Sequence, residues 1–161
     1  MLYCQRCGGL TAEQMHDGRV RPVCQVCGTP VYLDPKLAVA VVVVRDDKVL
    51  LGLRAGHTRN PGTWSYPAGF VERGERVEDA AVREAQEEVG LEVTLGRLLG
   101  VWSATGETVV LLAYVAAVKD EDAAVAGDDF LEVAWWPLTA LPPLAFDHDA
   151  EILSTALRLN S

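Results

Sequence analysis

Glu84, Glu87 and Glu88 stand as ExxEE inside the stretch Gly69–Leu91, GFVERGERVEDAAVREAQEEVGL. At about 100° per residue, Glu87 falls at about −60° and Glu88 at about +40° from Glu84, so the three carboxylates share one helix face. Like charges at this spacing repel by roughly 0.2–0.5 kcal/mol per pair. A hard divalent cation relieves that repulsion. Mg²⁺ and Mn²⁺ take oxygen ligands and bridge carboxylates to a substrate phosphate. A solvated acidic helix face is the alternative for a bare ExxEE. A second set lies near the N-terminus, where Cys4 and Cys7 form one CxxC followed by Gly8. Cys24 and Cys27 form another followed by Gly28, and the two pairs hold all four cysteines of the chain. Two such thiolate turns complete a tetrahedron around Zn²⁺. Two disulfides are disfavoured in a reducing compartment, and a redox CxxC needs no matching second pair. Residues 1–34 are short for an apolar core of their own, so bound metal is expected to supply much of their folding energy.

The acidic triplet needs a helix to carry it. Ala81, Val82, Ala85 and Val89 fall on a separate arc expected to face a core. Arg83 precedes Glu87 by four residues and is placed to pair with it. Gly90 sits where a left-handed C′ residue ends the helix. Upstream, Tyr32–Lys36 reads as a link into the main domain. Leu37–Arg45 reads as a strand buried on both faces, and Asp46-Asp47-Lys48 as a tight turn into its hairpin partner, Val49–Arg54. Arg54 ends that strand, either facing a ligand or lying on the surface. Pro61-Gly62 marks a turn. Trp64 is expected to seal the core or to stack on a base, with core favoured. Phe70 is open between the same two roles. Downstream, Glu92–Val101, Thr108–Lys119 and Leu131–Pro137 read as strands, with a polar loop from Asp120 to Asp129. A last helix is expected from Asp147 as N-cap. Alternating elements around one large mixed sheet predict an α/β sandwich, with residues 1–34 a zinc ribbon and 35–161 the main domain.

The chain has 161 residues, half of them hydrophobic, which suits one ordinary domain with a small appendage. A formal charge of −9 argues against broad binding to nucleic acid or anionic membrane, though not against a phosphate substrate met through cations. The ribbon carries Arg6, Arg19, Arg21 and Lys36 against Glu13, Asp17 and Asp34 through residue 36. That balance favours a structural role over nucleic-acid binding. Leu37–Val44, the longest apolar run, is too short to span a bilayer, so a cytoplasmic location is the default expectation.

The central stretch resembles the Nudix box on Gly69, Glu75, Arg83, Glu84, Ala85, Glu87, Glu88, Gly90 and Leu91, with Ala85 smaller than the usual aliphatic residue. The WxxPAG lead-in, Trp64–Gly69, resembles the family as well. The resemblance covers roughly Leu37–Ser161 and implies a Nudix-type α/β/α sandwich with a mixed sheet; the ribbon is similar to that of a subset of the family. It implies metal-dependent hydrolysis of the pyrophosphate of a nucleoside diphosphate linked to another group. Glu84, Glu87, Glu88 and the Ala68 carbonyl are then the expected Mg²⁺ or Mn²⁺ ligands. Arg83 orients a glutamate, Glu75 supports loop and helix, and Gly69 permits the loop. The general base is left between Glu84 and a downstream carboxylate. By alignment to relatives with a metal-binding glutamate before a tryptophan pair, that carboxylate is Asp129, ahead of Trp135 and Trp136, with Asp128 and Glu132 as fallbacks. Substrate contacts are expected from Arg54, Trp64, Phe70, Trp102 and the 120–132 loop. NADH pyrophosphatases of the family carry SQPWPFPxS where this chain has GRLLGVWSATGETVV. That demotes NADH, and the Leu141–Phe146 segment, LPPLAF, looks more like ADP-ribose or FAD pyrophosphatases. The expected partner is a small-molecule nucleotide, with membrane excluded, nucleic acid disfavoured and a homodimer open. The competing reading is a non-catalytic nucleotide sensor or nucleic-acid-binding module. A narrower one is removal of a nucleotide cap from RNA.

Overall fold

A strand can be apolar at every position only if both faces of its sheet are covered, and Leu37–Val44 is apolar throughout. A computed structural model describes residues 2–119 and 123–160, without the side chain of Asn160. Asp120, Glu121 and Asp122, the start of the polar loop, lie outside the described residues. The chain divides into two compact units, Met1–Pro35 and Lys36–Ser161.

The first unit is a hairpin of β1 (Thr11–His16) and β2 (Arg19–Cys24), paired from Thr11↔Cys24 to His16↔Arg19. Two near-identical knuckles flank it. Gly8 N–H donates to the Cys4 carbonyl at 2.9 Å and Gly28 N–H to the Cys24 carbonyl at 3.0 Å, while Cys4 and Cys24 N–H groups donate to Gly9 and Thr29. Gly8 and Gly28 take φ of 72° and 70°, a conformation that costs glycine little.

The second unit runs β3 (Lys36–Arg45), β4 (Lys48–Arg54), β5 (Trp64–Ser65), β6 (Ala68–Phe70), α1 (Val77–Val89), β7 (Thr94–Trp102), β8 (Val109–Ala117), β9 (Phe130–Pro137) and α2 (Asp149–Asn160). Among the described residues the sheet has seven strands and is mixed. β3 lies parallel to β8 from Lys36↔Val109 to Val43↔Ala116, and the other pairs are antiparallel. Alternate residues of β3 feed two cores. Val39, Val41 and Val43 pack with Ala80, Ala81, Ala85 and Val89 of α1. Ala40 and Val42 pack with Ile152, Leu153 and Ala156 of α2.

The expected β3–β4 hairpin pairs only at Val44↔Val49 and Arg45↔Lys48. Beyond that point β3 takes β6 as its neighbour, Ala38↔Phe70 to Ala40↔Ala68. β4 turns away to β9 and β5. The short strands β5 and β6 carry too little periodicity to be read from sequence, yet they split the sheet and lay Ala68–Phe70 against α1.

Two expectations about helices are corrected. Val82 is exposed and Ala80 is buried instead, because the core-facing arc of α1 is centred one residue earlier. The last helix starts at Asp149, not from an Asp147 cap. Asp147 is exposed, whereas the buried Asp149 carboxylate accepts the Phe146 N–H at 3.0 Å and its carbonyl accepts the Tyr66 hydroxyl at 2.9 Å.

Candidate active site

Helix α1 has Glu78 and Asp79 in its first turn, where negative charge suits the helix dipole. It ends at Gly90 with φ 70°, the Gly90 N–H donating to the Gln86 carbonyl at 3.1 Å. The three glutamates it carries do not share one environment. Glu84 and Glu88 are 8% and 7% exposed, while the Glu87 side chain is 59% exposed. Glu88 Oε2 accepts the Ala68 N–H at 2.7 Å. Glu84 lies directly against Gly69, in the space a Cβ would fill. The acidic face expected from spacing is therefore half interior, wedged under β6.

Burial sets the electrostatics. It pushes the Glu88 carboxyl up to about 8, with the Glu84 and Asp129 charges adding to the rise and the Ala68 N–H and Arg54 opposing it. Burial pushes Glu84 up as well, against the pull of Arg83. Glu84 shares its charge with Arg83, while Glu88 has no cation in direct hydrogen-bond contact among the described residues, an arrangement a hard divalent cation would compensate. The donor set fits Mg²⁺ or Mn²⁺ and is wrong for a soft metal.

Arg83 organises the rest. Its Nε and Nη2 donate to the two Glu75 oxygens at 2.9 and 3.0 Å. Nη1 donates to Glu84 at 2.7 Å and to Glu87 at 3.0 Å, and Nη2 to the Phe70 carbonyl at 3.1 Å. Those bonds hold the Glu75 carboxyl down, to about 2. Glu75 Oε2 also accepts the Glu72 N–H, so the loop between β6 and α1 closes around one guanidinium.

Gly69 is a steric test of this packing. Gly69→Ala would drive a methyl into the Glu84 carboxyl, an overpacking expected to cost about 1–3 kcal/mol. A thermal melt should fall by several degrees, and a wild-type melting temperature would show that β6 and α1 are not packed as described.

The remaining expected positions are distributed as follows. Arg54 is half-buried. Its Nε donates to the Arg59 carbonyl at 2.6 Å and Nη1 to Ser65 Oγ at 3.0 Å, with its guanidinium 5.3 Å from the Phe146 ring centroid. Burial lowers its pKa, opposed by the Glu88, Asp129 and Asp149 charges, so it stands on the carboxylate side of the sheet split. Phe70 is 45% exposed, with the Lys36 ammonium 4.7 Å from its centroid. Trp64 as a substrate contact is corrected: it is 8% exposed, in the α2-side core, edge-on to Trp136 at 5.1 Å and 75°. Trp102 is half-buried against the same core. Asp128 and Glu132 are exposed. Asp129 Oδ1 lies 3.1 Å from His57 Nε2. Sequence reasoning passed over His57, and also over the buried Ser65 and Asp149, because a lone polar residue in a loop, in a two-residue strand or at a helix start carries no periodic signal.

In the first unit the four cysteine sulfurs lie within 4.8 Å of one another. Named separations are 3.7, 3.5 and 3.4 Å for Cys4–Cys27, Cys7–Cys24 and Cys7–Cys27. A disulfide needs about 2.05 Å, and none is formed. Four thiolates around Zn²⁺ at about 2.3 Å stand roughly 3.8 Å apart, close to what is seen. Among the described residues no helix is long and apolar enough to cross a membrane.

The NUDIX domain model matches residues 34–156. A protein named ADP-ribose pyrophosphatase from Methanocaldococcus jannaschii is 40% identical over 125 residues, 73% of this chain and 71% of that one. The NAD-capped RNA hydrolase NudC of Pseudomonas aeruginosa is 34% identical over 142 residues, 88% of this chain. The chain spans only about half the length of that relative, 50%. Among solved structures, a NUDIX hydrolase from Nitrosomonas europaea superposes with a TM-score of 0.89 at 30% identity, over 100% of this chain and 94% of that one.

Proposed function

The chain belongs to the NUDIX domain family, and from that premise we infer a hydrolase of the pyrophosphate bond in a nucleoside diphosphate linked to a further group, with ADP-ribose as substrate. The observation that carries the reading is the pair of buried carboxylates, Glu84 and Glu88, packed under Ala68–Gly69. Two buried glutamates of which, among the described residues, only Glu84 has a cation in direct contact suit a site completed by divalent metal and phosphate better than a passive surface. The 40% identity to the archaeal ADP-ribose pyrophosphatase supports the choice of substrate.

Glu84, Glu87, Glu88 and the Ala68 carbonyl are the groups that would hold Mg²⁺ or Mn²⁺, and Cys4, Cys7, Cys24 and Cys27 those that would hold Zn²⁺. Bound at the glutamates, a divalent ion polarises phosphoryl oxygens and makes water a stronger nucleophile. The chain's own residues supply the frame. Arg83 fixes the Glu84 and Glu87 carboxylates while leaving Glu88 to the Ala68 N–H. Glu75 anchors Arg83. Arg54 offers a positive charge beside the carboxylates to an incoming phosphate. Water attacks phosphorus, the bridging P–O bond breaks, and the water proton passes to a carboxylate, with Glu84 and Asp129 as the candidates.

Product analysis by mass spectrometry tests the reading. ADP-ribose, FAD, NADH and NAD-capped RNA are each incubated with Mg²⁺ and separately with Mn²⁺. AMP and ribose 5-phosphate from ADP-ribose is the expected result. The similarity to NAD-capped RNA hydrolases makes release of NMN from capped RNA the informative second arm. No cleavage of any anhydride with either metal would leave the nucleotide-sensor reading in its place.

A further inference from the structure

The loop before β9 is tied to two distant parts of the second unit. On one side the Val125 and Gly127 N–H groups donate to the Val89 and Glu88 carbonyls at 2.9 Å each. The loop thereby satisfies carbonyls that the last turn of α1 leaves open. On the other side the Ala55 N–H, just past β4, donates to the Asp129 carbonyl at 2.9 Å. His57 Nε2 stands 3.1 Å from Asp129 Oδ1. A carboxylate oxygen accepts from an imidazole that carries its proton on Nε2, the tautomer this contact favours. His57 sits on a tight turn of its own, where the Thr58 N–H and hydroxyl both donate to the Ala55 carbonyl at 3.1 and 2.8 Å.

The His57 and Asp129 side chains are 64% and 50% exposed. A pair this open to water adds little to stability. Its effect is on orientation, because the backbone already holds Asp129 beside the site: Gly127, two residues earlier, donates to the Glu88 carbonyl, and Ala55, next to Arg54, donates to the Asp129 carbonyl.

We propose that His57 is a positioning residue for hydrolysis: its Nε2–H holds the Asp129 carboxylate at the rim of the Glu84–Glu88 site, oriented to take the proton of the attacking water. The proposal rests on the hydrolase reading and chooses Asp129 over Glu84 as the base. The water oxygen bonds to phosphorus, the bridging P–O bond breaks, and the water proton moves to Asp129. His57 makes no bond to substrate.

The test is a double-mutant cycle on the full chain with ADP-ribose and Mg²⁺, using His57→Ala, Asp129→Ala, both together, and His57→Gln. His57→Ala should lower kcat about tenfold through misplacement of the base, with KM changed less than about twofold. Asp129→Ala should cost about 10²-fold. The double variant should be no worse than Asp129→Ala, since His57 acts only through Asp129. His57→Gln, which keeps an N–H donor, should recover most of the loss. A wild-type kcat in His57→Ala, or multiplied losses in the double variant, overturns the proposal. Imidazole ¹⁵N spectra supply a readout independent of turnover: His57 should be Nε2-protonated in the wild type and lose that preference in Asp129→Ala. An unchanged tautomer overturns the contact itself. A wild type inactive on every anhydride overturns the hydrolase reading and the role of Asp129 together, while the spectra still decide whether the pair forms.

Discussion

Glu88→Gln should lower kcat on the order of 10²–10³-fold and leave the fold intact. The glutamine carbonyl can still accept the Ala68 N–H that Glu88 accepts at 2.7 Å, so β6 stays seated on α1. What is lost is the charge. The same variant carries a pH signature with a defined sign. Folding raises the Glu88 pKa from an ordinary 4.5 to about 8, so the folded state holds the proton more tightly than the unfolded one. Stability of the cation-free protein should therefore fall as pH rises from about 4.5 through about 8, by at most ~5 kcal/mol from this residue. Glu84 shifts in the same direction, and Asp149, raised to about 6, adds a smaller loss at lower pH. Glu75, held down to about 2, acts oppositely: its contribution is complete above about 4.5 and disappears only as pH falls toward 2. Thermal melts at pH 5 and pH 8.5 should show a wild-type penalty at the higher pH that Glu88→Gln reduces and added Mg²⁺ removes. Equal melting temperatures across that range, with full activity in the variant, would dismiss Glu88 from the site.

The second large effect is expected in the first unit. Among its described residues few apolar side chains are buried, Cys4, Val23 and Cys24, while Met15, Val20, Val26 and Leu33 are 60% exposed or more. So little burial cannot offset the ordering entropy of about 35 residues. Metal bound to four thiolates contributes about 10–16 kcal/mol in small domains of this type, enough to decide whether the unit folds. Cys24→Ser removes a buried ligand and should abolish stoichiometric zinc and expose Met1–Pro35 to proteolysis. Lys36–Ser161 should survive digestion as a folded core, because it carries two apolar clusters of its own, built around β3 with α1 and with α2. Retained zinc, or an uncut N-terminus in the variant, would count against a four-thiolate site.

These two sites were legible in the sequence to different depths. The cysteines were readable because spacing alone brings four sulfurs together; the knuckles at Cys4 and Cys24 follow from local turn chemistry. The glutamates were readable as a set, since helical periodicity put them on one side of α1. Their unequal burial was not readable. It depends on β6, a three-residue strand that displaces β4 from β3, and such an exchange of neighbours leaves no mark in periodicity. The valines of Leu37–Val44 announced a strand covered on both faces, and alternate residues do enter separate cores. Ala85 looked too small for its position, but with Ala80 and Ala81 it forms the fully buried surface of α1 against β3. Trp64 and His57 show unequal legibility in neighbouring segments. Trp64 took the core place favoured for it and not the base contact left open beside it, and one plain loop histidine turned out to face a carboxylate 72 residues away.

Arg83 has five N–H donors, and five hydrogen bonds leave it, to Glu75, Glu84, Glu87 and the Phe70 carbonyl. A saturated guanidinium is a cross-link and has no donor left for a ligand. The strongest positive charge within the box is thus spent before any substrate arrives. Three carboxylates, Glu75, Glu84 and Glu87, share that single cation, so its charge is taken up inside the protein. On the proposed reading, a phosphate arriving there depends on Arg54 and on the divalent ions the carboxylates would hold, and draws nothing from Arg83.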